Sequence, residues 1–373
     1  MTTKPHFIVT PWEVKGDIDY DKLIQQFGTR PITPELLKRI EKHTKEIHPY
    51  LRRNIFFCHR DMDWLLDEYE KGNKFYLYTG RGPSENVHLG HLTVWKFTKW
   101  LQDKFDVPLY FQLTDDEKFL FKPNLTLEQT NKMAYENALD LIALGFDPKK
   151  TFIFTNTDYG KTLYREAIKV AKRLTLSTVK AAFGFQEDNN VGQYFYTAMQ
   201  AVPCFLPSIL NKKNTPCLIP LAIDQDPHFR ITRDIMPKLG YYKPAILHQR
   251  FLPALQGGGK MSSSEGVTIF TTDSPEEVTR KINKHAFSGG QATVEEQRKK
   301  GGNPDIDASY QWLRFFEEDD TKLKKAYDDY RSGRLLSGEL KAILIEKINT
   351  LLKDHQKKRD KARDQLDKFI LKD

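Results

Sequence analysis

The sequence predicts an α/β protein: a doubly wound parallel sheet followed by a helical C-terminal domain. Three observations predict it. From Phe75 onward, short apolar runs alternate with stretches whose apolar residues recur at helical spacing, as parallel strands buried on both faces and joined by helices require. After about Thr272 the strand-like runs stop and the remaining patterns are all helical. At 373 residues the chain exceeds one ordinary domain, so two domains and an extension are expected. The divisions fall at 1–73, an N-terminal extension packed on the main domain; 74–272, the sheet domain; and 273–373, the helical domain.

Taken in order, the N-terminal residues mix helical patterns (Pro34–Lys45, Met62–Lys71) with a strand-like start at His6–Val14. FIVTPWEV is too apolar for a free tail, and Trp12 needs a packing partner, so the segment reads as a hairpin or lid. Phe75–Tyr78 is a short aromatic strand, and Thr79–Asn86 a turn-rich loop with Gly80, Gly82, Pro83 and Ser84. A helix opens near His88, carried by Leu89, Leu92, Val94 and Trp95. Val107–Leu113 and Thr151–Thr155 are strands, and Thr126–Leu144 is a helix with the capping-box order Thr126-x-x-Gln129. Tyr164–Leu174 and Gln193–Ala201 are helical, and Cys217–Ile223 is the next buried strand. Helices at Pro275–His285, Ala308–Phe316, Lys322–Tyr330 and Ser337–Asp354, then a final charged one, complete the chain.

Composition narrows the function. The hydrophobic fraction of 39% supports a packed core, and no apolar run approaches membrane-spanning length. Met1–Trp12 lacks a secretory pattern, and Cys58, Cys204 and Cys217 are odd in number and not in metal-ligand spacing, so reduced, mostly buried thiols in an intracellular protein are expected. The net charge is +8, and the last 53 residues hold fifteen Lys/Arg against nine Asp/Glu. That local surplus favours a polyanionic partner such as nucleic acid, although a solvated helical face has the same composition.

The chemistry concentrates in two motifs. A strand that feeds a loop and a helix N-terminus makes an anion site, because free backbone N–H groups and the helix dipole point at the loop. Gly80-Arg81-Gly82 is not a dinucleotide fingerprint, since it has no third glycine at the required spacing. The helix opens instead on His88-Leu89-Gly90-His91, two imidazoles three residues apart on one helix face with no side chain at Gly90. The second motif, QGGGKMSSS at Gln256–Ser264, sets Lys260 on a flexible backbone beside Met261, Ser262, Ser263 and Ser264. A lysine so placed can swing a compact charge onto a polyphosphate. In a doubly wound sheet, ligands bind at the carboxyl ends of the strands, which here are Tyr78–Gly80, Gln112–Glu117 and Asp224–Asp226.

The pair HLGH and KMSSS resembles the HIGH and KMSKS signatures of class I aminoacyl-tRNA synthetases. The longer stretches YLYTGRGPS, QLTDDEKF, AIDQDPHFR, KHAFSGG and GGN resemble the eukaryotic-type tryptophanyl-tRNA synthetases, and the likeness spans nearly the whole chain. KMSSS lacks the second lysine of KMSKS, which leaves Lys260 as that loop's only lysine. The resemblance implies a Rossmann-like catalytic domain and a helical anticodon-binding domain, whose last helix can return to the catalytic domain. It implies ATP with Mg²⁺, L-tryptophan and tRNA(Trp) as substrates, no protein-bound metal, a cytoplasmic homodimer, and no membrane association. His88, His91, Lys260 and Arg81 are the catalytic candidates. Gly80, Gly82, Gly90, Met261 and Ser262–Ser264 join them around ATP, and the Trp12 segment is expected to close over it.

By the same resemblance Tyr78 and Gln112 face the indole, Glu117 and Gln200 the α-ammonium, and Gln225 the carboxylate. An indole offers a single N–H on a flat ring, so a neutral acceptor in an aromatic wall suits it. The related tyrosine enzymes typically read Gln-Ala-x-Asp where this chain has Gln200-Ala201-Val202-Pro203, so a phenol would lose its acceptor, at a cost of roughly 1–3 kcal/mol. Two rival readings remain: another adenylate-forming enzyme of the superfamily, and a tRNA-binding relative without catalysis. The intact His88, Gly90, His91 and Lys260 argue against the second.

Overall fold

The computed structural model describes residues 8–9, 14–16, 18–257, 260–261 and 266–373. Nine strands are present among them: β1 (Ile8–Val9), β2 (Val14–Lys15), β3 (Arg30–Pro31), β4 (Phe56–Arg60), β5 (Tyr76–Arg81), β6 (Leu109–Leu113), β7 (Thr151–Thr155), β8 (Cys217–Ala222) and β9 (Ala245–Gln249). The first two pair with each other, and the other seven form one sheet in the order β3-β4-β9-β8-β5-β6-β7. Trp12 lies outside the described residues, so the lid expectation for its segment does too.

The five strands from β9 to β7 run parallel, as the apolar runs predict. The sheet is not wholly parallel, however. β4 joins β9 antiparallel, with β3 antiparallel outside it. The run Phe56–Arg60 was hidden because FFCHR ends in two polar residues and precedes a helical pattern, so periodicity alone gives it no strand signature.

Alternation along β5 sends Leu77 into one apolar layer and Tyr76 and Tyr78 into the other, so both faces of the sheet are covered. The strand order reverses between β5 and β8, where a ligand crevice is expected. Their backbone pairing ends at Tyr76↔Cys217 and Leu77↔Leu218. Beyond that point β8 carries Pro220, which has no N–H to donate. The Thr79 hydroxyl instead donates to the Pro220 carbonyl at 3.1 Å, and the strands open into the site.

The helix Leu127–Ile142 starts with the expected reciprocal cap between Thr126 and Gln129. Helices Pro275–His285 and Ala308–Phe316 have the expected bounds. The last helix does not break at Asp354 but runs Ser337–Ala362. Its extension is anchored on helix Leu127–Ile142: His355 Nε2 meets Asp140 Oδ1 at 2.8 Å, Arg359 bonds Asp140 and Glu136, and Arg363 bonds Glu136. Part of the basic surplus therefore holds the chain to itself. Beyond the helix, Phe369 accepts from the Ile153 N–H and Leu371 donates to the Ile153 carbonyl, both at 2.7 Å, which covers the exposed edge of β7.

Candidate active site

A cavity of about 380 Å³ opens at the carboxyl ends of β5 and β8. It brings together Tyr78, Gly80, Arg81, Gly82, His88, Gly90, His91, Glu117, Gln200, Gln225, Lys260 and Met261, which sequence reasoning had drawn from five separate stretches. Ser262, Ser263 and Ser264 lie outside the described residues.

The two motifs are each held by backbone pairing to a segment after β9. His88 precedes helix Leu89–Phe105 and bridges antiparallel to Phe270, and the Leu89 N–H donates to the Ile269 carbonyl at 3.2 Å. Lys260 bridges Pro253, and the Met261 N–H donates to the Leu252 carbonyl at 2.9 Å. Met261 therefore lies against the first motif. A Cβ on Gly90 would come 3.1 Å from the His88 ring and 3.5 Å from Met261 Cε, so Gly90 is needed for the approach of the two motifs themselves.

The His88 and His91 rings stack at 3.8 Å, and His91 stacks in turn on Trp95 at 6.1 Å. Burial, with Arg81 and Lys260 adding to it, pulls His88 down to about 3, and burial takes His91 well below its ordinary range. Both are therefore neutral imidazoles at physiological pH, offering N–H donors and not cations. His88 Nδ1 is buried without a partner.

Arg81, Lys118 and Lys260 are the cations among the described residues that line the cavity, and Arg81 and Lys260 belong to the stretches read from sequence. Arg81 ends β5 over the Trp95 ring, donates through Nη2 to Ser84 Oγ at 2.6 Å, and keeps Nη1 buried without a partner. Burial lowers its guanidinium to about 10, still charged at neutral pH. Asn137, from helix Leu127–Ile142, accepts from the Ser84 N–H and donates to its carbonyl, so the loop bearing Arg81 is gripped from behind. Lys260 Nζ sits 2.7 Å from Asp224 Oδ2 and 5.4 Å over the Phe251 ring. Asp224 Oδ1 is buried without a partner.

On the side expected to hold the amino acid, Gln112 and Pro203 are not where the sequence reading put them. Gln112 is fully buried and does not line the cavity. The parallel register puts it beside Gly80, whose missing Cβ lets the strands approach, and its amide lies behind Tyr78. The Tyr78 hydroxyl donates to Gln112 Oε1 at 2.5 Å and accepts from Gln200 Nε2 at 3.1 Å. Tyr196 donates to Gln200 Oε1 at 2.6 Å, so Gln200 is a wall residue and not a helix-surface one. Glu117 faces the cavity and accepts from Thr114 Oγ1 at 2.8 Å. Pro203 is also off the cavity: it is buried in a 3₁₀ turn where its carbonyl accepts from Tyr76.

Sequence reasoning gave no role to three parts of the site. Asp224 stands in the quoted stretch AIDQDPHFR, where its sequence signal was visible. Tyr196 carried no signal. The third is a clamp beneath the Ile223–Gln225 turn: Arg60 on β4 and His248 on β9 both bond Asp226 at 2.8 Å. Burial works against the Asp226 charge, yet these hydrogen bonds hold its carboxyl well below the usual carboxylate range. Residues 60, 226 and 248 meet only because β4 joins the sheet antiparallel. Among the described residues, no cluster of three His, Cys, Asp or Glu could hold a metal ion, and no helix is long and apolar enough to cross a membrane.

With this geometry in hand, comparison with known proteins is specific. Residues 70–353 match the family model described as tRNA synthetases class I (W and Y). The chain is 55% identical to the tryptophan–tRNA ligase of Sulfolobus acidocaldarius, covering 97% of this chain and 95% of that one. It is 53% identical to the cytoplasmic tryptophan–tRNA ligase of Schizosaccharomyces pombe, covering 95% and 94%. Its structure resembles that of Plasmodium falciparum tryptophanyl-tRNA synthetase with a TM-score of 0.89 at 46% identity, covering 94% and 97%.

Proposed function

Because the chain belongs to the class I tRNA synthetases of the tryptophan and tyrosine group, we propose that its cavity makes tryptophanyl-adenylate and passes the aminoacyl group to tRNA(Trp). The overall activity is ATP-dependent ligation of L-tryptophan to its tRNA, with release of AMP and pyrophosphate. The observation that carries the site assignment is a single one: Lys260, the two stacked imidazoles and the Tyr78–Gln200 pair all line one cavity at the sheet's switch point.

In the first step the tryptophan carboxylate attacks the α-phosphate of ATP. No enzymic nucleophile is needed; the demand is in-line positioning and neutralisation of charge. Neutral His88 and His91 donate hydrogen bonds on the α-phosphate side. Arg81 supplies a fixed cation with an unused Nη1. Lys260 leaves Asp224 for the departing pyrophosphate, a role the family resemblance extends to Ser262–Ser264. Mg²⁺ would enter with ATP as part of the substrate complex and would neutralise phosphate charge; the unpartnered Asp224 Oδ1 is a protein oxygen suited to it. Tyr78 meets the indole N–H, Glu117 the ammonium, and Gln225 the carboxylate side. The helical residues 273–373 take the tRNA anticodon, where exposed aromatic or arginine side chains can stack on unpaired bases.

The enzyme works in the cytoplasm as a homodimer. Tyr164, Ile168, Leu176 and Val191 stand exposed on helices between β7 and β8, an apolar face that a second copy would cover. ATP–pyrophosphate exchange with tryptophan and tyrosine side by side tests the reading. Tryptophan alone should support exchange. Exchange with tyrosine would overturn the substrate assignment, and none with either would favour a tRNA-binding protein without catalysis.

A further inference from the structure

Behind the cavity wall, hydrogen bonds run in one direction through six side chains. Tyr196 donates to Gln200 Oε1, and Gln200 Nε2 donates to the Tyr78 oxygen. Tyr78 donates to Gln112 Oε1, and Gln112 Nε2 donates to Asn156 Oδ1 at 2.8 Å. Asn156 Nδ2 donates to Asp116 Oδ1 at 2.7 Å, and the chain of donors ends there. Tyr78, Gln200 and Tyr196 line the cavity, but Gln112, Asn156 and Asp116 do not.

The direction has a physical origin. An Asn or Gln amide has nearly the same shape either way round, so its partners decide which end is the donor. A carboxylate can only accept. Asp116 at the terminus therefore makes Asn156 present its NH₂ inward and its oxygen to Gln112. Gln112 must then present its own oxygen to Tyr78, which hands over its only proton. What the cavity meets is a tyrosine oxygen with a lone pair and no hydrogen.

We propose that Asp116 and Asn156 are positioning residues that fix the polarity of the Tyr78 hydroxyl, so that the pocket accepts a hydrogen bond from a ring N–H and offers none in return. The proposal rests on the reading of this cavity as the tryptophan site, and adds to it the residues that select for the donor on the ring. Reversing the chain would turn the Tyr78 O–H into the cavity, donor against donor. The indole would then lose its partner at the one polar atom it has.

Supporting this arrangement, Asp116 lies in the first turn of helix Asp115–Phe121 and also accepts from the Glu117 N–H at 2.7 Å, so its carboxylate is held in place. Desolvation, then the neighbouring Asp115, push its carboxyl up to about 7. At pH 8 it is therefore mostly the acceptor-only carboxylate that the relay needs.

The test is ATP–pyrophosphate exchange at pH 8 with the full chain, comparing tryptophan with an analogue carrying sulfur in place of the indole N–H. The variants are Asp116→Leu, which removes the acceptor at nearly the same size, Asn156→Ala and Asn156→Asp. In Asp116→Leu and Asn156→Ala the KM for tryptophan should rise roughly five- to tenfold, as loss of one oriented hydrogen bond implies. The KM for the sulfur analogue and for ATP should change less than about twofold, because neither uses the Tyr78 lone pair. Asn156→Asp keeps the acceptor for Gln112 and should recover most of the tryptophan affinity. Equal losses for tryptophan and the analogue would overturn the relay and leave a structural role. So would no change in either KM. Asp116→Leu and Asn156→Asp nearly preserve volume, so a failure of Asn156→Ala to fold leaves the comparison intact. Wild-type enzyme that gives no exchange with tryptophan would overturn the functional reading itself, which is a different result.

Discussion

Replacing Lys260 with alanine separates the nucleotide side of the site from the amino-acid side. In the free enzyme Nζ is held 2.7 Å from Asp224, with about a quarter of the lysine side chain exposed. At that distance and an effective dielectric of about 20, the gross attraction is about 6 kcal/mol, most of which desolvation and side-chain ordering offset. The pair is thus a parking position that a triphosphate, with several negative charges, can outcompete. Loss of one preorganised donor to the departing pyrophosphate costs about 2.7–4 kcal/mol in the transition state, or 10²–10³ in kcat. Lys260 follows β9, whereas Tyr78 stands on β5 and Gln200 caps helix Val191–Met199, and among the described residues no hydrogen bond joins Lys260 to either, so the Kd for tryptophan should stay within about twofold. Single-turnover adenylate formation and tryptophan calorimetry measure the two quantities. The variant also leaves both Asp224 oxygens buried and unpaired, which should reduce stability by about 1–3 kcal/mol. Adding Asp224→Asn should restore stability without restoring the rate. Equal losses of rate and tryptophan affinity, or a rate loss below tenfold, would refute this division of labour.

Two further substitutions probe the site's supports. A Cβ on Gly82 would fall 2.6 Å from Glu117 Oε2, so Gly82→Ala should push that carboxylate aside and raise the tryptophan KM by about tenfold, the scale of one charged hydrogen bond. Because only the end of a flexible side chain must move, the melting temperature should barely change; a large drop would locate the damage in the fold instead. His355→Ala removes a buried partner of Asp140, which retains Arg359, and should cost about 1–3 kcal/mol in denaturant unfolding. Pyrophosphate exchange should be unaffected, and a stability change below about 0.5 kcal/mol would show that the helix end is not held there.

How much of this was legible beforehand varies by element. The strand Thr151–Thr155 and the helices Pro275–His285 and Ala308–Phe316 were readable with their bounds, because caps and periodicity are local properties. So was the pairing of HLGH with a lysine loop about 170 residues away, since residue types and spacing carry that chemistry. β4 was not readable: its place beside β9 is a long-range pairing that FFCHR does not encode by itself. Nor was the unbroken last helix, whose extension depends on Asp140 reaching His355 and Arg359 from far up the chain.

The sequence alone determined the sheet-and-helix architecture and most of the candidate residues that the fold gathers around one cavity. Only the tertiary structure decided how those residues face. It put Gln112 behind Tyr78 and not on the cavity, made both imidazoles neutral by burying them, and set Lys260 against Asp224. The reason is that a side chain's identity is fixed by its own position, while its protonation and the direction of its hydrogen bonds depend on neighbours that the fold brings from elsewhere in the chain.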